Sequence, residues 1–317
     1  MYASETGRYE AGAGDPWATW MLHRRHGDDG DYQRAVLLDV LRYRNRVLDG
    51  ASLEAGMTLV DVGAGDGLVA FGAIERIGPS LRVVLIDVSE ELLKRARRLS
   101  EDLGIMAQCT FLKDSAEKLQ GLADARTDVV TTRAVLAYVS EKNAALRQFY
   151  RVLKPGGRIS IAEPIFQDEA FEACALGKAI ESQPTNPDID FLRLLCRYKS
   201  AMVPATEENI WRNPLTNFSE RDLVRSAQHA GFVNVHMELH IDYRPSLITR
   251  WDVFLDVSQH PLAPTPREIL DRDFSQPERE LFERVMRPPI ESGQSVASDR
   301  VAYLTATKPP AAEPRSP

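Results

Sequence analysis

Asp61 stands two residues ahead of three alternating glycines, Gly63, Gly65 and Gly67, at the end of the apolar run Leu59–Val62. Glycines so spaced let a strand turn sharply into a helix and let a ligand approach the backbone without a Cβ in between. The following pattern, Leu68, Val69, Phe71 and Ile74, has helical spacing. Asp61 decides what kind of ligand. A dinucleotide pyrophosphate is anionic and would sit badly beside a carboxylate there. Leu68 also takes the place where the dinucleotide-binding G-x-G-x-x-G pattern needs its third glycine. A ligand carrying an ammonium and a sulfonium group suits the carboxylate, so the loop reads as a site for S-adenosylmethionine.

Further acids fall at matching positions. Leu81–Asp87 is a β-branched run ending in a carboxylate 20 residues after Gly67, where it can reach a ribose diol beside the glycine loop. Cys109–Ser115 is a short apolar strand closing on Asp114 and Ser115. Asp128–Thr132 predicts a fourth strand, followed by Arg133, and Arg158–Glu163 a fifth. Between them, Val152-Leu153-Lys154-Pro155-Gly156-Gly157 stops a helix. Taken singly, these features have structural readings: Ser89 as a helix N-cap with Asp87 offsetting the dipole, Asp114 as another cap, the Pro-Gly-Gly run as a plain turn. Their joint register is what a chance explanation does not supply.

In this order and spacing, residues 55–165 resemble the class I S-adenosylmethionine-dependent methyltransferases, and the later strands resemble them more loosely. The L-K-P-G-G run is frequent in the subgroup that includes the ubiquinone and menaquinone C-methyltransferases and the arsenite methyltransferases. The resemblance implies an α/β fold: a doubly wound, seven-stranded Rossmann-like sheet whose last strand lies antiparallel beside the fifth. It also implies that Asp61, Gly63, Gly65 and Gly67 hold the methionine part of the cofactor. Asp87 would take the ribose, Val88 would lie against the adenine, and Asp114 and Ser115 would read its edge. Arg133 falls where the quinone enzymes carry a polar site residue, to serve the acceptor or to anchor beside the cofactor's carboxylate. Glu163 could orient a substrate amine or accept a proton, or merely fix the next loop. Tyr138 and Trp211 are candidate pocket aromatics, and His240 is a candidate at the end of strand six.

The elements that must position these residues divide the chain into stretches. Residues 1–31 form a lead-in or lid, polar apart from the apolar island Trp17–Leu22. A helix is expected over Asp31–Leu48, with Val36, Val40, Tyr43 and Val47 on one face. Residues 32–164 read as the cofactor-binding core. Residues 165–218 read as a helical insertion broken at Pro184–Pro187, and residues 219–308 return to the sheet with strands at Phe232–His240 and Val301–Thr307. Residues 245–295, with helical signals at Leu247–Val257 and Pro277–Met286, interrupt that strand pair, and residues 309–317 are a Pro/Ala-rich tail. Long insertions in compact domains usually serve function, so 165–215 and 245–295 are expected to build a substrate cap. Arg193, Arg197 and Lys199 on it could receive a carboxylate.

A net charge of −7 argues against a nucleic-acid partner. No apolar run reaches the roughly 18 residues of a membrane helix, and no leader is evident. Cys109, Cys174 and Cys196 share no paired spacing, which fits a reduced, cytoplasmic chain. With no cysteine before Cys109, arsenite is a poor acceptor. The lack of an obvious base favours a small acceptor that is nucleophilic by itself, a sulfur or nitrogen compound such as methionine. O- or C-methylation of a quinone or polyketide is the alternative. A dinucleotide oxidoreductase and a non-catalytic cofactor binder also remain, since fold does not dictate function. No metal is implied, and monomer and homodimer are both open.

Overall fold

The computed structural model describes residues 14–311. Its helices are α1 (Pro16–Thr19), α2 (Gly30–Ala51), α3 (Leu68–Ile77), α4 (Glu90–Asp102), α5 (Lys142–Val152), α6 (Gln167–Glu181), α7 (Pro187–Ser200), α8 (Glu207–Arg212), α9 (Glu220–His229), α10 (Trp251–Asp256), α11 (Pro266–Asp273) and α12 (Gln276–Glu291). The strands are β1 (Thr58–Val62), β2 (Arg82–Asp87), β3 (Cys109–Lys113), β4 (Thr127–Arg133), β5 (Leu153–Pro164), β6 (Val233–Pro245) and β7 (Val296–Thr307). They form one sheet in the order β3-β2-β1-β4-β5-β7-β6. The first five are parallel and β7 runs antiparallel between β5 and β6. This is the doubly wound, Rossmann-like methyltransferase fold.

Alternation along the strands builds a core on each face. Leu59, Val83 and Leu85 pack under α2, α3 and α4 with Val47, Val69 and Ala96. Val60, Val62, Ile86 and Val130 point the other way, against Leu146 and Phe149 of α5 and Leu223 of α9. Because the sheet order reverses between β1 and β4, the ends of those strands open a crevice. Their register sets Asp61 beside Thr131.

Some expectations shift in detail. Strand β5 begins at Leu153 rather than Arg158: Leu153 pairs with Thr127, the register then slips, and Arg158 pairs with Val129. Lys154-Pro155-Gly156-Gly157 is the bulge between, anchored by Lys154 Nζ on Asp128 at 2.6 Å. A Cβ on Gly157 would lie 2.9 Å from two backbone oxygens, so only glycine fits. The β6–β7 ladder continues to Pro245 opposite Val296, well past the end of the sheet, and α10–α12 sit at its far end. Helix α11 was not anticipated from the sequence, although Thr265-Pro266-Arg267-Glu268 closes a capping box with proline in the first turn.

Residues 187–200 and 251–291 share a hydrophobic cluster of Leu194, Tyr198, Trp251, Ile269, Phe274 and Phe282. Arg197 braces it, with Cζ 4.6 Å from the Phe274 ring centroid and its guanidinium on Glu278 and the Asp273 carbonyl. Arg193 is likewise tied to Thr185, Asp190 and the Gln183 carbonyl. These arginines hold helices together. No helix among the described residues is long and apolar enough to cross a membrane.

Candidate active site

The β1–α3 loop is stitched to the end of β2. Gly63 and Ala64 N–H donate to the Ile86 carbonyl at 2.7 and 2.9 Å, and Gly65 N–H donates to Asp87 Oδ2 at 2.8 Å. All three glycines have φ between +56° and +97°, a region costly for other residues. Their tasks differ. A Cβ on Gly63 would fall 2.2 Å from Val135 of the β4 loop. One on Gly67 would strike Phe71, and one on Gly65 would meet Met21 Cε at 2.7 Å. Gly63 lines the crevice, and Gly65 and Gly67 are not among its lining residues.

The crevice is a cavity of about 750 Å³. Asp61, Asp87, Val88, Asp114, Ser115, Arg133 and Tyr138 all line it. Asp61 is 2 % exposed; Oδ1 accepts from Thr131 Oγ1 at 2.8 Å, while Oδ2 has no hydrogen-bond partner. Burial pushes its carboxyl up to about 7. Across the cavity, the buried Ser115 Oγ is also unpartnered. Asp87 accepts from Gly65 and, through Oδ1, from Ser89 N–H at 2.8 Å, and each oxygen keeps a lone pair for another donor. Burial raises its carboxyl as well. Asp114 accepts from the Ser115 and Gln120 amides at 2.7 and 2.6 Å, which fixes the loop carrying Ser115. Val88 is half exposed to the cavity.

Two other candidates are placed elsewhere in role. Glu163 is fully buried and does not line the cavity: it accepts from Thr132 Oγ1 at 2.9 Å, Val135 N–H at 2.9 Å and Ala137 N–H at 3.1 Å. It is the brace of the β4 loop, with no lone pair turned toward a substrate. Tyr138 does line the cavity, edge-on to Trp17 at 5.1 Å. Burial drives its phenol above the usual tyrosine range, so it is a hydrogen-bond donor and not a base. His240 pairs with Glu238 and packs on Tyr303, and Trp211 packs on Phe171; neither reaches the cavity.

The N-terminal island proved to be part of the site. Asp15 caps α1, accepts from Ser89 Oγ, and so docks the segment against the start of α4. Trp20 Nε1 donates to the Ser258 carbonyl at 2.9 Å, and Ser258 N–H donates to the Arg24 carbonyl at 2.8 Å. Arg24 pairs with Glu268, and Arg250 with Asp29. Residues 15–29 thus lie over the crevice and are sewn to the α10–α11 region. His260 extends the join, its ring 6.4 Å from Tyr138 and 5.4 Å from Phe166. Trp17, Trp20, Arg25, His26, Val36, Leu37 and Val40 line the cavity and were not singled out as site residues from the sequence. The signal was present in the apolar island Trp17–Leu22 and in the Val36 and Val40 face of the expected helix. Arg25 is held down to about 10 by burial and by Arg133 nearby, and burial holds His26 down to about 4.

Residues 53–218 match the family of methyltransferase domains, and the chain belongs to that family. Over 121 residues it is 32 % identical to the ubiquinone/menaquinone biosynthesis C-methyltransferase UbiE of Escherichia fergusonii, covering 38 % of this chain and 48 % of that one. The UbiE of Klebsiella pneumoniae matches to the same extent. The chain therefore spans about half the length of the curated relatives it matches. Among solved structures, the YcgJ protein of Bacillus subtilis superposes with a TM-score of 0.52 at 17 % identity, over 85 % of this chain and 99 % of that one, a likeness of fold.

Proposed function

We propose that the chain is an S-adenosylmethionine-dependent methyltransferase acting on a small molecule. One observation carries the proposal: two of the buried polar atoms left without partners, Asp61 Oδ2 and Ser115 Oγ, line one cavity with Asp87 and its spare lone pairs. Orphaned buried groups are costly. A ligand with an ammonium at one end, a diol in the middle and a heteroaromatic edge at the other satisfies all three. A dinucleotide would bring its pyrophosphate to Asp61 and leave that orphan worse off.

When bound, the cofactor supplies a methyl group already activated by its sulfonium. The chain's own residues then have to hold and align the reactants and exclude water. Asp61 takes the ammonium, Arg133 the cofactor's carboxylate, Asp87 the ribose, and Val88 and Ser115 the adenine. Met21, Trp17 and Trp20 close the crevice against solvent. Of three candidate bases, Tyr138 stays protonated, His26 is too weak a base to hold a proton near neutrality, and Glu163, outside the cavity lining, is consumed by the β4 loop. None of these three serves as a base, which supports an acceptor that needs no base from the protein: a thioether, or a thiol or amine that reaches its nucleophilic form in solution. The flat walls of Trp17, Trp20 and Tyr138 support a second reading, C-methylation of an electron-rich ring, in line with the activity named for the UbiE relatives. Methionine loses its argument, because Arg193, Arg197 and Lys199 are not among the residues lining the cavity, and the first two are engaged between helices.

Calorimetric titration with S-adenosylhomocysteine and with NAD, followed by transfer from methyl-labelled cofactor to a metabolite extract, tests the proposal. Binding of NAD in preference to S-adenosylhomocysteine would refute it. Cofactor binding without any labelled product would leave a non-catalytic binder.

A further inference from the structure

Two guanidinium groups face the lid end of the cavity, Arg25 and Arg133, and neither makes a hydrogen bond or ion pair with another side chain among the described residues. The nearby acids are otherwise engaged. Asp66 draws on both arginines electrostatically but forms its ion pair with Arg95 at 3.6 Å. Asp61 is the partner for an ammonium. The cofactor brings one carboxylate, which one arginine suffices to meet.

Position assigns the pair. Arg133 closes β4 beside β1, next to Asp61, at the amino-acid end of the cofactor. Arg25 belongs to the lid, with its guanidinium 5.3 Å from the centre of the Trp20 ring and the apolar face Val36, Leu37 and Val40 across the cavity. An unpaired, partly buried guanidinium above apolar walls is a receptor for an anion on a mostly apolar body.

We propose that Arg25 binds a carboxylate of the methyl acceptor, and that the acceptor is an apolar or aromatic molecule bearing a single such group. A phosphate fits less well, since its second charge would face Asp66, and among the described residues the cavity lining offers no further unpaired arginine or lysine: Arg95 is paired with Asp66. The proposal rests on the methyltransferase reading, and its test separates the two.

The full chain is first titrated with S-adenosylhomocysteine, and the saturated protein is then titrated with 1-naphthylacetate and with the uncharged 1-naphthylacetamide. The acid should bind about tenfold or more tightly than the amide, the size of one charge-assisted hydrogen-bonded contact. Arg25→Gln should abolish that preference and Arg25→Lys restore part of it, with S-adenosylhomocysteine affinity unchanged within about twofold and the melting temperature confirming the fold. Arg133→Gln should do the reverse, weakening S-adenosylhomocysteine. Equal binding of acid and amide, or no binding of either, overturns the proposal while leaving the cofactor reading intact. Loss of S-adenosylhomocysteine affinity in Arg25→Gln overturns it differently, by giving Arg25 to the cofactor. Failure of S-adenosylhomocysteine to bind the unmodified chain overturns both.

Discussion

Cofactor affinity should fall as pH falls through 7, and Asp61 should be the reason. Its carboxyl is buried, one oxygen is unpartnered, and its midpoint lies at about 7 in the free protein. An ammonium recruits only the ionised form. With that midpoint, roughly one eleventh of the protein is ionised at pH 6 and ten elevenths at pH 8, so the dissociation constant for S-adenosylhomocysteine should rise about tenfold on acidification. The homocysteine ammonium stays protonated throughout, so the ligand adds no opposing slope. The stability sign agrees. A carboxyl raised in the fold stabilises the free protein most below its unfolded value near 3.8, and that contribution is lost as pH rises toward 7. Raising this carboxyl from 3.8 to about 7 corresponds to roughly 4 kcal/mol, an upper figure for what the bound ammonium offsets. Asp61→Asn should flatten the binding profile between pH 6 and 8 and leave weak affinity at the alkaline end. Titration calorimetry at pH 6, 7 and 8 on both proteins decides it. A flat wild-type profile, or an Asp61→Asn profile as steep as the wild type's, would refute the assignment.

Glu163→Gln sets an amide N–H₂ among donors that a carboxylate now serves, so it should cost roughly 1.5–3 kcal/mol in urea unfolding without moving the pH profile of methyl transfer. A shifted profile would return Glu163 to the chemistry. Trp20→Phe removes the lid's indole bond to Ser258 and should speed S-adenosylhomocysteine release by about two- to tenfold in stopped flow, the equivalent of one ordinary hydrogen bond. Gly63→Ala, with a Cβ 2.2 Å from Val135, should lower the melting temperature more than Gly65→Ala, whose Cβ meets only the flexible tip of Met21. Equal melting temperatures would mean the β4 loop yields easily.

The sheet was legible because its signals are local. The Asp61–Gly67 turn and Asp87 closing β2 each state an element boundary within a few residues, and the crossover rule orders the strands between them. The divided roles of the glycines were not legible, since what a Cβ would hit at Gly65 is Met21, over 40 positions away. Glu163 misled for the same reason: as a strand-terminal acid it looks free until the β4 loop folds back and surrounds it with donors. The lid was hardest of all. Trp17–Leu22 is too short to announce a helix, and its order comes from Ser89, Ser258 and Glu268, scattered across the rest of the chain.

The stitching of residues 15–29 to the α10–α11 region has a kinetic consequence. The wall that carries Arg25, Trp17 and Trp20 is also the roof over the glycine turn, with Met21 packed on Gly65. The lid residues Trp17, Trp20 and Arg25 complete the wall of the chamber that a second reactant would occupy. If the proposed methyl transfer holds, the expected order is nucleotide first in and last out. Product-inhibition kinetics would then show the spent nucleotide competing with its fresh counterpart and not with the acceptor.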